Sequence, residues 1–268
     1  MGCEQGLSRA MDSSFAQKYG DYEQGHWWFH GRARVLRSLL GEMRWTPGAR
    51  VLEIGVGPGV GLRERYPADI NLVGVEPDER NARLAAERSG VPVYVGSVEN
   101  LPGDLDGVLF DAITMFDVLE HVEDDRGALV ALSRRLAPGG KLVLTVPAYQ
   151  WMWGEQDEVN RHFRRYTRGL LRSRVEAAGY RVLRSTYFNT LLFPPIAMFR
   201  VIKGWTERAR PKRTQGGEAR SDFEYSLGPV DAILRRVFGF ESRLLRLVNF
   251  PFGVSVFVSA ERRPEVEG

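Results

Sequence analysis

The chain has 268 residues, a formal net charge of +3 and 43% hydrophobic residues. That length suits one domain with additions around a sizeable core, and so small a charge gives no electrostatic reason to expect a nucleic-acid partner. The single Cys3 excludes a disulfide framework and a cysteine metal site.

Taken in chain order, Met1-Gly2-Cys3 reads as an unstructured start. Gly6 breaks the myristoylation pattern, and neither a signal peptide nor a run of about eighteen apolar residues follows. The expected location is cytoplasmic. Residues 26–43 read as a helix carrying His26-Trp27-Trp28-Phe29-His30-Gly31-Arg32. Neighbouring helical side chains point about 100° apart, so three consecutive aromatics cannot all face one core. Strands are expected near 50–55, 71–76, 92–96, 110–116 and 141–147, with helices near 59–66, 78–89 and 125–136 between them. A helix over 168–179, a sixth strand over 181–187 and a seventh over 251–259 complete the pattern. About sixty residues separate those last two strands. Within them, Tyr187 to Trp205 is apolar but interrupted by Pro194-Pro195, and Arg208 to Arg220 is polar and mostly basic. Val230, Ile233, Leu234, Val237, Phe238, Leu244, Leu245 and Val248 then recur at helical spacing. Alternating strands and helices imply a mainly parallel sheet covered on both faces.

The chemistry concentrates in Val51-Leu52-Glu53-Ile54-Gly55-Val56-Gly57-Pro58-Gly59, read with Glu76. Two apolar runs each end in a carboxylate, and the first opens into alternating glycines. That arrangement makes a nucleoside crevice at the carboxyl ends of neighbouring parallel strands. Glycine lets a ligand approach the main chain without meeting a Cβ, and Glu76 can accept hydrogen bonds from both ribose hydroxyls. The dinucleotide fingerprint fails, because Val60 stands where its third glycine belongs. Glu53 suits a cationic ligand end better than a phosphate. A nucleoside with a ribose diol, an ammonium group and no phosphate points to S-adenosyl-L-methionine.

On these residues the chain resembles the class I S-adenosylmethionine-dependent methyltransferases. The glycine loop with Glu53, Gly55, Gly57 and Gly59 is similar to their first motif, and Val73-Gly74-Val75-Glu76-Pro77 to their ribose-binding acidic loop. Gly96-Ser97-Val98-Glu99-Asn100-Leu101-Pro102 resembles the adenine loop, with Ser97 where many members carry Asp. Phe110 to His121 resembles the fourth-strand motif, and Leu136 to Leu144 the turn into the fifth strand. The resemblance covers roughly residues 45 to 190 and a last strand. It implies cofactor contacts from Glu53, Gly55, Gly57, Gly59, Glu76, Pro77, Ser97, Val98, Phe116 and Asp117. It also implies an N-terminal helix closing over the cofactor, with Trp28 near the sulfonium and Arg32 on the methionine carboxylate. Packing of the same aromatics on the sheet edge is the open alternative.

The implied fold class is α/β, a Rossmann-like, doubly wound, seven-stranded and mainly parallel sheet. One domain is expected, divided into a helical cap (1–44), a core (45–190), a helical insertion (190–250) and a last strand (251–262). The insertion is a lid, a peripheral membrane contact through 190–213, or a packed hairpin. The implied reaction is methyl transfer to a small-molecule or lipid-linked acceptor, with O-methylation favoured. N- or C-methylation, or a non-catalytic S-adenosylmethionine-binding module, stand as alternatives. Tyr149, Asp157 and His162 follow the fifth strand, where substrates bind in such sheets. His162 and His121 compete as general base; the alternatives are a His162–Asp157 pair that only braces the loop, and a His121 at a helix start bonded to backbone. Asp117, Glu120 and His121 resemble a metal-assisting set of the ubiquinone-pathway O-methyltransferases, but that local pattern is common without metal, and no metal ligand is assigned.

Overall fold

Apolar runs punctuated by glycine turns become seven strands. The computed structural model describes residues 26–209 and 228–263. The expectations placed on Met1-Gly2-Cys3 and on the basic run beyond Ala209 lie outside them. The strands are β1 (Arg50–Ile54), β2 (Asn71–Glu76), β3 (Val93–Val95), β4 (Phe110–Phe116), β5 (Leu136–Pro147), β6 (Tyr180–Phe188) and β7 (Ser255–Arg262). They form one sheet in the order β3-β2-β1-β4-β5-β7-β6. The first five run parallel, and β7 inserts antiparallel between β5 and β6, with Leu144 opposite Val258 and Thr186 opposite Phe257. The order reverses between β1 and β4, which opens a crevice at their carboxyl ends.

Seven α-helices accompany the sheet among the described residues: α1 (Trp27–Gly41), α2 (Glu79–Ser89), α3 (Asp125–Arg135), α4 (Glu155–Val159), α5 (Arg168–Ala177), α6 (Phe193–Ala209) and α7 (Pro229–Leu244). Side-chain caps start four of them, the first being His26, whose Nδ1 accepts from Trp28 N–H at 3.3 Å. Asp78, Asp124 and Thr167 accept from the N–H groups of Asn81, Gly127 and Leu170, at 2.8, 2.9 and 3.2 Å. Leu129 and Leu132 of α3, with Leu171 and Val175 of α5, pack on Ile113, Leu142 and Leu144. On the opposite face, Val35, Leu36 and Leu39 of α1 and Phe238 of α7 pack on Val51, Leu72, Val143 and Phe257. The sheet is therefore buried on both sides, as its near-continuous apolar strands demand.

Three expectations need correction. The helix over 59–66 is absent. Gly59 and Gly61 hold φ of +77° and +64°, outside the helical region, and only a 3₁₀ turn over Arg63–Arg65 remains. The seventh strand begins at Ser255, not near 251, and runs to Arg262. Gly253 lies against the carbonyl of Phe188, so closely that no side chain fits there. The Pro194-Pro195 pair does not interrupt the apolar stretch. Both prolines sit in the first turn of α6, where their missing N–H groups cost nothing, and the helix continues to Ala209.

Candidate active site

A cavity of about 800 Å³ opens at the carboxyl ends of β1, β2 and β4. Its floor is the loop after β1. Gly55 and Gly57 hold φ of +75° and +56°. At Gly55 a Cβ would strike Val118, whereas at Gly57 it would meet no protein atom within 4 Å. The space above Gly57 is therefore open for a ligand. Gly59 serves packing instead: it lies against the backbone of Ala85 in α2 and is not part of the lining. Glu76 at the tip of β2 ties this floor together. Gly57 N–H donates to its Oε2 at 2.9 Å, and Asp78 N–H to its Oε1 at 3.3 Å. Pro77, Ser97 and Val98 line the adjoining wall, and the Oγ of Ser97 accepts from Asn100 N–H at 3.2 Å.

Three expected ligand contacts, Glu53, Arg32 and Asp117, are already engaged within the protein. Glu53 faces the cavity, but Arg65 pairs with one of its oxygens and Tyr66 donates to the other at 2.6 Å. Buried beside that carboxylate, the Tyr66 hydroxyl is pushed well above its usual range, first by desolvation and then by the Glu53 charge. Arg32 pairs with Asp117 at 2.7 Å and donates to the carbonyl of Phe116 at 2.9 Å. Its guanidinium also lies 5.4 Å from the ring centroid of Trp28. The N-terminal helix thus docks on the end of β4 through an ion pair and a hydrogen bond, while the cation–π contact of Arg32 with Trp28 lies within the helix. Asp117 holds φ of +59°, an uncommon conformation for a residue with a side chain, and accepts from Thr145 Oγ1 at 3.1 Å.

The opposite wall comes from the segment after β5. Asp157, fully buried, is its organiser. Its Oδ1 meets His162 Nδ1 at 2.8 Å and accepts from Arg165 Nε at 2.7 Å. Its Oδ2 accepts from Gly154 N–H and Arg165 Nη2, each at 2.9 Å. Burial alone would raise this carboxyl, but His162, Arg165 and the Gly154 amide outweigh it and hold it at about 2. His162 keeps Nε2 as the nitrogen not committed to Asp157. His121 stands edge to face with His162, ring centroids 4.5 Å apart. Burial, and then the neighbouring His162, lower His121 to about 3, so it is a neutral imidazole at neutral pH. Glu120 is also buried, and desolvation followed by the Asp117 charge pushes its carboxyl well above the usual range.

Glu120, His121 and His162 each offer a ligand atom within 4.8 Å of the others, and among the described residues this is the one group that could hold a metal ion. It differs from the Asp117, Glu120 and His121 pattern that resembles a metal-assisting set, because Asp117 turns to Arg32 and Thr145 while His162 comes from another loop. Tyr149 does not line the cavity. At φ of +59° its ring stacks on Tyr187, centroids 5.3 Å apart, and burial raises its hydroxyl further from ionisation. Gln156, Asn160, Arg165 and Arg200 line the cavity without having been expected there, as do the apolar Leu192, Pro195, Ile196, Phe199 and Leu234. Gln156 sits on the five-residue α4, and Asn160 immediately follows it. So short a helix leaves no periodic signal.

A family model described as a methyltransferase domain matches residues 28–185. The chain is 41% identical over 104 residues to a ubiquinone biosynthesis O-methyltransferase of Xanthomonas oryzae pv. oryzae, a match covering 37% of this chain and 43% of that protein. It thus spans less than half the length of that relative. Among solved structures, it is similar to a SAM-dependent methyltransferase of Thermotoga maritima, with a TM-score of 0.52 and 22% identity over 93% of this chain and 98% of that one. It is also similar to phosphoethanolamine N-methyltransferase 2 of Haemonchus contortus, solved with S-adenosyl-L-methionine, with a TM-score of 0.52 and 16% identity over 86% of this chain and 52% of that one.

Proposed function

The chain belongs to the methyltransferase domain family, and from that premise we propose that it moves a methyl group from S-adenosyl-L-methionine to a hydroxyl of a small-molecule or lipid-linked acceptor. The observation that carries this reading is one cavity with two different walls: a glycine floor braced by Glu76, and a histidine braced by a buried carboxylate. The open space over Gly57 and the acidic tip of β2 fit a nucleoside. S-adenosyl-L-methionine supplies an electrophilic methyl group on a sulfonium. The chain's own residues then align the acceptor and take its proton. Alignment is worth up to about 7–11 kcal/mol in favourable cases. Asp157 holds the His162 ring through Nδ1, so Nε2 is presented to the acceptor hydroxyl and receives its proton as the oxygen–carbon bond forms and the methyl–sulfur bond breaks, its electron pair leaving on a neutral thioether. His121, weakened as a base by burial, orders the His162 ring by edge-to-face contact.

Incubation with methyl-labelled S-adenosyl-L-methionine and fractionated cell extract is expected to label an organic-soluble product. His162→Ala should lower turnover by about 10²-fold or more and leave cofactor affinity unchanged. A larger loss in His121→Ala would move the base to that residue. Losses below about threefold in both variants would turn the assignment toward an acceptor, such as a neutral amine, that needs no base.

A second reading keeps the reaction and changes how the proton is lost. Glu120, His121 and His162 would hold a divalent cation, which lowers the pKa of a bound hydroxyl. Glu120 Oε2 is buried with no hydrogen-bond partner among the described residues, as suits an atom reserved for a cation. His162 would then ligate through Nε2 with Asp157 as its outer partner. Metal content of the purified protein, compared with that of Glu120→Gln, checks this independently of activity. No bound metal, and no change in turnover on chelation, would remove the reading.

A further inference from the structure

Helix α6 packs Phe193 and Ile196 inward yet leaves a second apolar set facing outward. The charged side chains that the structure describes on it turn toward the protein. Lys203 pairs with Glu155 at 2.9 Å, and Arg200 lies so close over Gly154 that a Cβ there would collide with it. Pro195, Met198, Phe199 and Ile202, spaced i, i+3, i+4 and i+7, turn outward. Met198 is 62% exposed, Phe199 55% and Ile202 53%. A surface helix in a water-soluble protein normally shows the opposite arrangement. The exposed face is also continuous with the cavity, because Pro195 and Phe199 line it as well. Helix α7 borders the same cavity through Leu234. Its own outer strip places Ile233 and Phe240 beside Arg236 and Arg243, all exposed and spaced for one face.

We propose that the outer face of α6, together with the apolar and cationic strip of α7, seats on an anionic lipid bilayer and that the cavity takes its acceptor from there. This rests on the reading of the cavity as the acceptor site. A helix with large apolar groups outward gains by burying them about 5–10 Å into the headgroup boundary, and neighbouring arginines meet lipid phosphates. A bilayer fits this face better than a protein partner does. The apolar face borders the cavity, so a protein sealing it would obstruct acceptor entry, whereas a bilayer would deliver a lipid-linked acceptor to that edge. The polar inner wall of Asn160, Gln156 and Arg165 against the apolar Ile196, Phe199 and Leu234 also matches an acceptor with a polar head and a hydrocarbon tail.

The test is flotation of the full chain with vesicles of phosphatidylcholine alone and of phosphatidylcholine with phosphatidylglycerol. Wild type should float with the anionic vesicles and more weakly with the neutral ones. Met198→Asp with Ile202→Asp, at two exposed positions outside the cavity lining, should reduce the bound fraction at least tenfold. Calorimetric affinity for S-adenosyl-L-methionine should stay within twofold of wild type. That second measurement separates the two claims, since a failed cofactor reading would show in wild type whatever the vesicles do. Absence of flotation with either vesicle would overturn the proposal. So would flotation that the double variant leaves intact, or a dimer in solution that the same substitutions dissolve.

Discussion

Glu76 illustrates how one side chain can serve a ligand and its own loop. Its oxygens receive the Gly57 and Asp78 amides, so it shapes the glycine floor, and the proposed ribose contact would share the same two oxygens. Charge-assisted hydrogen bonds of this kind are worth about 1.5–3 kcal/mol. Glu76→Ala should therefore weaken S-adenosyl-L-methionine binding roughly ten- to a hundredfold by calorimetry, and affinity within twofold of wild type would remove the assignment. Asp157 acts differently, through its pKa. Its folded value of about 2 lies below the reference value of 3.8, so its contribution is present above pH 4 and is lost as pH falls through 2. The shift corresponds to about 2 kcal/mol at neutral pH, with about half gone at pH 3. In urea melts, the stability gap between wild type and Asp157→Asn should narrow accordingly between pH 7 and pH 3. The residues at this scale that the sequence exposed were those whose chemistry needs a fixed spacing, such as Gly55, Gly57 and Glu76. Arg65 on Glu53 and Asp117 on Arg32 were not legible, because ion pairs between separate elements have no spacing rule.

At the scale of elements, the turn into α6 depends on a carboxylate from α7. Glu241 is fully buried, and its Oε2 accepts from the N–H groups of Thr190 and Leu191 at 2.8 and 3.1 Å. Desolvation raises its carboxyl, only partly offset by those amides. A raised carboxyl costs stability when ionised, so this site favours lower pH. Glu241→Gln keeps an acceptor for the two amides without the buried charge, and should leave the melting temperature unchanged or raised at pH 7. Glu241→Ala leaves both amides without a partner, at about 1–3 kcal/mol each, and should lower it by roughly 4 °C or more. Calorimetric melts of both variants check this. Elements themselves were legible wherever periodicity ran long enough, as in α1, α2, α3 and α5. The missing helix over 59–66 was not, because apolar spacing says nothing of Gly59 and Gly61 adopting positive φ.

For the molecule as a whole, the segment between β6 and β7 supports the start of the chain. Phe238 of α7 is fully buried against α1, where Gly31 lies so close that it leaves no room for a side chain. Ser38 of α1 donates to the carbonyl of Ser242 at 2.9 Å. Since α1 carries Trp28 and Arg32 into the cavity, the insertion holds one wall of the site by a contact spanning two hundred residues. Phe238→Ala should cost about 3–5 kcal/mol, a fall of roughly 6–20 °C in melting temperature. It should also weaken S-adenosyl-L-methionine binding, although Phe238 is not part of the cavity lining. Unchanged affinity at a temperature where the variant remains folded would show that α1 keeps its place without α7.

The sequence by itself determined the mainly parallel sheet, the crevice at the carboxyl ends of its strands and the carboxylate at the tip of β2. These follow from local rules: apolar runs of strand length, glycines where a side chain cannot stand, an acidic residue at a strand end. Only the tertiary structure decided that Glu120 joins both histidines in one cluster, that Tyr149 turns away into an aromatic stack, and that α6 leaves a set of apolar side chains facing outward. Those outcomes depend on contacts between residues distant in the chain, whose energies come from burial and charge in three dimensions and leave no periodic trace in one.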